Sequence, residues 1–269
     1  MKCGRWDIGV CSWSLQAELD GVIGSVRSMG IDRLHLAVRG IDAAAVGAQL
    51  ATNGIAVSCT MMDFPQEDYS SLEAIKLTGG VGPDDCWEAN KQSFEAAVAA
   101  TVALGVTYLS LHAGFIDESN PVYAQKFKDR ITCLADIAAA EGIMLLLETG
   151  QESATDLKAF LEELSHPALG VNFDPANMIL YDKGEPLEAL RVLAPWIKHV
   201  HIKDATRTTE PGTWGAEVPW GDGEVQADAF VNALKEIGYA GAIAIEREAG
   251  DSRVADITAA VERLSRFVD

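Results

Sequence analysis

The chain has 269 residues, 48% hydrophobic and 23% charged, with 40 acidic against 21 basic side chains and a formal net charge of −19. That balance excludes nucleic acid as a partner, since binding it needs a basic footprint, and disfavours anionic membrane surfaces. The amino terminus, MKCGRWDIGV, lacks the apolar core of a signal peptide, no apolar run approaches the roughly 18 residues of a membrane span, and the five cysteines are scattered without a CxxC pair, so a reduced, cytoplasmic protein is expected.

Short apolar strands alternate with longer amphipathic segments. DIGVCSW, DRLHLAV, IAVSCTMM and VTYLSLHAG are the first four predicted strands, and IMLLLETG, LGVNFDPAN, KHVHIKDA and GAIAIERE the second four. Helical patterns such as ANKQSFEAAVAATVALG and AQKFKDRITCLADIAAAEG lie between them, and DSRVADITAAVERLSRFV closes the chain as an eighth helix. Gly30, Gly54, Gly105, Gly142 and Gly238 each follow a helical pattern and fit helix C-terminal caps. Alternation without hairpin signals predicts a parallel sheet, and eight evenly spaced units predict a closed (β/α)8 TIM barrel of the α/β class. Such a barrel fills about 250 residues as one domain, so residues 1–269 are expected to form a single domain. Two irregular stretches, roughly 62–84 and 205–224, fall between elements and read as active-site loops. The first, with Tyr69 and TGGVGP, has the make-up of a lid.

Strand alternation then assigns the inward face. Met144, Leu146 and Glu148 share one face; so do Tyr108, Ser110 and His112; His199, His201 and Lys203; and Ala242, Ala244 and Glu246. The last member of each set reaches the C-terminal mouth, where barrel enzymes carry out chemistry. Glu148, Asp174, His201 and Glu246, at the ends of four successive strands, bring three carboxylates and one imidazole together there. Crowded carboxylates repel and one protonates unless a cation intervenes, so a divalent metal resolves the conflict. Oxygen donors with one nitrogen suit Mn best, with Mg, Co or Zn also acceptable. Any one acidic strand end is as easily a helix cap; four in succession are the argument.

The run from LLLETG through NFDPANMILYDKGEPLEALRVLAPWIKHVHIKDA to AIERE resembles the xylose-isomerase-like barrels of the sugar phosphate isomerase/epimerase group, and the likeness covers essentially the whole chain. In ketose 3-epimerases of that group a Glu, Asp, His, Glu set holds one metal, and Glu148, Asp174, His201 and Glu246 match it position by position. The resemblance implies a metal-dependent sugar isomerase or epimerase that abstracts a proton beside a carbonyl and passes through an enediolate, with Glu148 and Glu246 as acid and base. It equally covers lyases and dehydratases of keto-sugars, keto-glycosides or inososes, which share the first step. A non-catalytic sugar-binding barrel is a third reading, against which the intact glutamates speak. The group also implies a substrate-binding Arg six residues after the metal His, here Arg207, and often a His where this chain has Asn177. It allows for a homo-oligomer.

Endonuclease IV, a three-zinc relative, is the contrast. His112 resembles one of its ligands, but the third strand has no His, Asn177 replaces another, and the later loop lacks the Asp-x-His pair. One metal is therefore expected, with His112, Asn177, Lys203 and Arg207 binding a small sugar or polyol. Trp13 is read as a wall of the pocket, His35 and His199 as interior polar groups, and His166 as a loop residue.

Overall fold

The computed structural model describes residues 1–267, and within them the eight expected strands close into a barrel. They are β1 (Trp6–Cys11), β2 (Arg33–Ala37), β3 (Ala56–Met61), β4 (Tyr108–Leu111), β5 (Met144–Glu148), β6 (Leu169–Phe173), β7 (Ile197–Ile202) and β8 (Ala242–Ile245). Each pairs in parallel with the next, and β8 pairs with β1 to complete the ring. Helices return the chain between strands, as a parallel sheet requires: α1 (Leu19–Ser28), α2 (Ala43–Thr52), α3 (Trp87–Ala103), α4 (Pro121–Ala140), α5 (Ala154–Leu164), α6 (Pro186–Leu193), α7 (Ala227–Glu236) and α8 (Arg253–Leu264). The last predicted helix ran to Val268. Its observed part ends at Leu264, and Val268 lies outside the described residues.

The five glycines assigned to helix ends all have positive φ, between 68° and 71°, where an L side chain would strain the backbone. The expected absence of hairpins is corrected: Lys2–Cys3 folds back antiparallel on β1, and Asp204–Thr206 pairs antiparallel with Ala216–Val218. The second hairpin falls, but for Asp204, within the 205–224 stretch. Its alternation is too short to stand out from a loop in sequence.

Apolar outward residues of the strands pack against the helices. Val200 and Ile202 of β7 do so, as does Phe173, which stacks on Phe230 of α7 at 6.1 Å. The inward face carries polar groups among small and apolar ones: Cys11, His35, Asn172, His199 and His201 are all fully buried inside the ring. No described helix is long and apolar enough to cross a membrane. The five cysteines are free thiols.

Beyond β5, Glu152 is buried on the approach to α5, and burial pushes its carboxyl up to about 8, with Lys183 too weak to offset this. Between the ordinary value near 4.5 and about 8, the folded protein keeps a proton that the unfolded chain has lost. Stability therefore falls as pH rises through that window and levels off above it. Glu152→Gln, neutral at every pH, is expected to remove the slope. Its melting temperature should match wild type near pH 4.5 and exceed it at pH 8.5, by an amount equivalent to a few kcal/mol at most, since each pKa unit is worth about 1.4 kcal/mol. Parallel melting curves for the two proteins across that range would refute the account.

Candidate metal centre

Glu148 ends β5, Asp174 follows β6, His201 sits near the end of β7 and Glu246 follows β8. The structure brings the four together: one donor atom from each lies within 4.8 Å of all the others, and all four side chains are buried. His201 Nδ1 is the centre of the group, 3.4 Å from Glu148 Oε1, 3.3 Å from Asp174 Oδ2 and 3.3 Å from Glu246 Oε2. Donors each about 2.1 Å from one shared ion sit roughly 3–3.4 Å apart, so these edges fit a single divalent cation. The cluster can hold a metal ion.

Local sequence explains the placement. Asp174 caps the short helix Pro175–Leu180: its Oδ1 accepts from Asn177 N at 3.0 Å, which leaves Oδ2 for the cluster. Thr149 ties β5 to β6, its hydroxyl donating to Asp174 O (2.9 Å) and accepting from Asp174 N (2.8 Å). Gly150, at φ 140°, lets the β5 turn lie against that helix; a Cβ there would come within 2.5 Å of Asn177 Cβ. The close approach keeps Asn177 Nδ2 3.2 Å from Glu148 Oε1.

The surroundings fix the charges. Burial pushes Glu148 up, but the imidazoles of His201 and His112 outweigh it and hold the carboxyl at about 2. Burial likewise acts on Glu246, and Lys203 and His201 hold it well below the usual range. Burial raises Asp174. Lys203 Nζ donates to Glu246 Oε2 (2.8 Å) and Glu248 Oε2 (3.1 Å) and lies 3.8 Å from Asp174. It does not pair with Asp204. That carboxylate accepts instead from the backbone of Ala205, Gly221, Gly223 and Val225, and so shapes the loop.

Above the cluster opens a cavity of about 1080 Å³. Trp13, His112, Asn177, Lys203 and Glu246 line its floor, and Trp13 Nε1 donates to Glu246 Oε1 at 2.7 Å. Both stretches expected to be irregular wall it: the first, which also holds a short helix, Leu72–Thr78, with Phe64 and Tyr69, and the second with Trp214 and Glu217. His112 Nε2 stands 3.7 Å from Glu148 Oε1.

Arg207 is not brought to the cavity. Its guanidinium pairs with Glu185 (2.8 Å) and Glu224 (3.0 Å) and donates to Gly184 O, outside the mouth. The spacing from His201 places it on a loop, but the hairpin that follows turns its side chain away. Arg207→Ala is expected to cost about 1 kcal/mol of stability and to leave substrate kcat/KM within twofold of wild type. A tenfold loss of kcat/KM at unchanged melting temperature would return it to the site.

Sequence reasoning passed over several supporting residues. Asn172 Nδ2 donates to Glu148 Oε2 (2.9 Å), and its Oδ1 accepts from His199 Nδ1 (2.9 Å). Strand alternation places Asn172 two residues inside Asp174, but a neutral amide raised no flag. His35, expected as an interior polar group, places Nδ1 2.9 Å from His201 Nε2, and Cys11 Sγ, which sequence did not single out, lies 3.6 Å from the same atom. Glu248, two residues past Glu246, was legible by the same alternation.

A profile of the xylose isomerase-like TIM barrel family matches residues 23–267. A xylose isomerase domain protein from Planctomyces limnophilus is 32% identical in sequence, with a TM-score of 0.91 over 98% of this chain and 97% of that one. The ketose 3-epimerase of Arthrobacter globiformis is 24% identical over 249 residues, 87% of this chain and 80% of the epimerase. The 3-dehydroshikimate dehydratase of Bacillus anthracis is 29% identical over 129 residues, 42% of this chain and 45% of the dehydratase. The chain thus spans less than half of the dehydratase, and 38% of a further, uncharacterized relative from Escherichia coli. Fold, profile and whole-length likeness agree, and the chain belongs to the xylose isomerase-like TIM barrel family.

Proposed function

We propose that this protein is a metal-dependent isomerase or epimerase of a sugar or related polyol, moving a proton at the carbon beside a carbonyl. One observation carries the reading: a buried cluster of three carboxylates and one imidazole, two of whose members are ionised glutamates, lies on the floor of an open cavity. Glu148, Asp174, His201 and Glu246 would hold the ion, and Mn suits them best. When bound, the metal supplies Lewis acidity that makes the C–H beside a carbonyl more acidic.

The chain's own groups supply the rest. Glu148 and Glu246 are held as carboxylates, the form a base needs. One takes the proton on a carboxylate oxygen, and the same or the other glutamate returns it. Return to the opposite face of the same carbon is epimerisation; return to the neighbouring carbon is isomerisation. His112, Asn177 and Lys203 line the floor and would orient hydroxyls and the enediolate oxygen. His201 turns Nδ1 to the cluster, so its Nε2 proton goes to His35 Nδ1, which fixes the ring. The free thiols fit a cytoplasmic setting.

A second reading, dehydration or elimination on the same site, has its own support. Lys203 places an ammonium beside Glu246 and Glu248, where a departing hydroxyl would need a proton, and one relative is a dehydratase. Incubation of Mn-loaded protein with ketoses, keto-glycosides and inososes in deuterated water, followed by NMR, separates the two. Deuterium beside the carbonyl with isomer formation supports the first, and loss of water or an aglycone supports the second. No exchange with any member, at any of the four metals, would defeat both.

A further inference from the structure

The cavity is larger than one sugar ring requires. Its volume of about 1080 Å³ stands at the top of the roughly 300–1,000 Å³ range of clefts that hold drug-sized ligands. Only the floor reaches the carboxylate cluster. Much of the rest is built by the two loops, which add aromatic rings, Phe64 and Tyr69 from one and Trp214 from the other, beside the carboxylates Asp63, Glu67 and Glu217. Tyr69 is 44% exposed and is the only aromatic among the large exposed hydrophobic residues described. Trp214 is held edge-on against Tyr181, with ring centroids 4.7 Å apart, so its indole is fixed at the cavity wall. An exposed aromatic ring beside a cavity is an unspent apolar face, of the kind that binding covers.

Charge narrows the ligand further. Five carboxylates line the cavity (Asp63, Glu67, Glu217, Glu246 and Glu248) against two permanent cations, Arg39 and Lys203. Both cations are already matched: Arg39 lies 3.0 Å from Asp63, and Lys203 is held by Glu246 and Glu248. Arg207 faces away, committed to Glu185 and Glu224. No unpaired cation among the described lining residues is left to receive a phosphate. With Glu148 and Asp174 beneath, even a bound dication leaves this space negative.

We infer, resting on the proton-transfer reading above, that the substrate is an unphosphorylated glycoside whose reacting sugar carries a ring ketone, since the glycosidic bond masks the anomeric carbonyl: that sugar lies on the carboxylate floor and a second ring lies against Tyr69 and Trp214. The second ring covers apolar surface that a free monosaccharide leaves wet, and it carries no anion into an acidic cleft.

The test is a matched ligand series. Several sugars that carry a ring ketone, each as the free sugar, the 6-phosphate and the phenyl glycoside, are titrated into Mn-loaded protein by calorimetry. Phenyl glycosides are expected to bind about tenfold more tightly than the free sugars, the gain of burying one apolar ring face, and the phosphates more weakly than the free sugars. Tyr69→Ala and Trp214→Ala are expected to abolish the tenfold gain and leave free-sugar affinity unchanged. The ligand series on wild type stands even if a variant folds poorly. Tightest binding by phosphates, equal binding of free sugar and glycoside, a gain that survives in both folded variants, or binding by no member would overturn the inference. Deuterium exchange in the same samples keeps the two readings apart. Exchange without any gain from the second ring defeats this inference alone, and ring-dependent binding without exchange defeats the proton-transfer reading alone.

Discussion

Glu246→Gln is expected to lower deuterium exchange at the substrate carbon by about 10³-fold at saturating metal, within the range that loss of a general acid–base group produces. Glutamine keeps the shape and removes the charge that accepts the proton. The fold should survive. Glu246 Oε1 accepts from Trp13 and Oε2 from Lys203, so an amide sets one donor against another, but Lys203 can shift towards Glu248. Glu148→Gln has less room. Its oxygens accept from Asn172 and Asn177, and Asn172 cannot rotate its amide because its oxygen already accepts from His199. This second variant should therefore lose both exchange and stability, the latter by about 1–3 kcal/mol for a buried donor left unpaired. Metal affinity should weaken in both variants, which is why exchange is compared at saturation. Wild-type exchange in Glu246→Gln, with metal bound, would remove this residue from the chemistry.

The parts of the site that sequence made legible are those that depend on strand register. Alternation along β5, β7 and β8 places Glu148, His201 and Glu246 inward and at one end, because a closed parallel barrel leaves no other face for them. The glycine caps were legible for an equally local reason, a backbone conformation that few other residues accept. What depends on loop direction was not legible. Arg207 and Trp214 lie in the same stretch of chain, yet the hairpin of Asp204–Thr206 with Ala216–Val218 sends the first outward and the second to the cavity. Spacing from His201 carries no information about that turn. Asp204 organises it through four backbone N–H groups drawn from positions up to 21 residues away, a long-range arrangement that one-dimensional periodicity does not encode.

Lys203→Met is expected to destabilise the metal-free protein by about 3–5 kcal/mol, the cost of removing one partner from a buried ion pair. Lys203 is 5% exposed and lies within 4 Å of Glu246, Glu248, Asp174 and Glu217. Without it, only the imidazoles of His201 and His112 face the cluster's three carboxylates, and the neighbouring Glu217 and Glu248 add to the repulsion. Chemical denaturation measures the loss directly. Adding Mn should restore much of it, because an ion that binds only the folded state adds about 2.7 kcal/mol at a hundredfold excess over Kd. Lys203→Arg keeps the charge but asks a planar guanidinium to fit a space shaped for an ammonium, so it should recover part of the stability and little of the activity. Comparing the two variants separates the roles of the residue. If Lys203 only balances charge, Mn-saturated Lys203→Met exchanges deuterium at the wild-type rate. If it also orients the substrate oxygen, exchange stays at least tenfold down after stability has been restored, which is the outcome expected from its position on the cavity floor between Asn177 and Glu246.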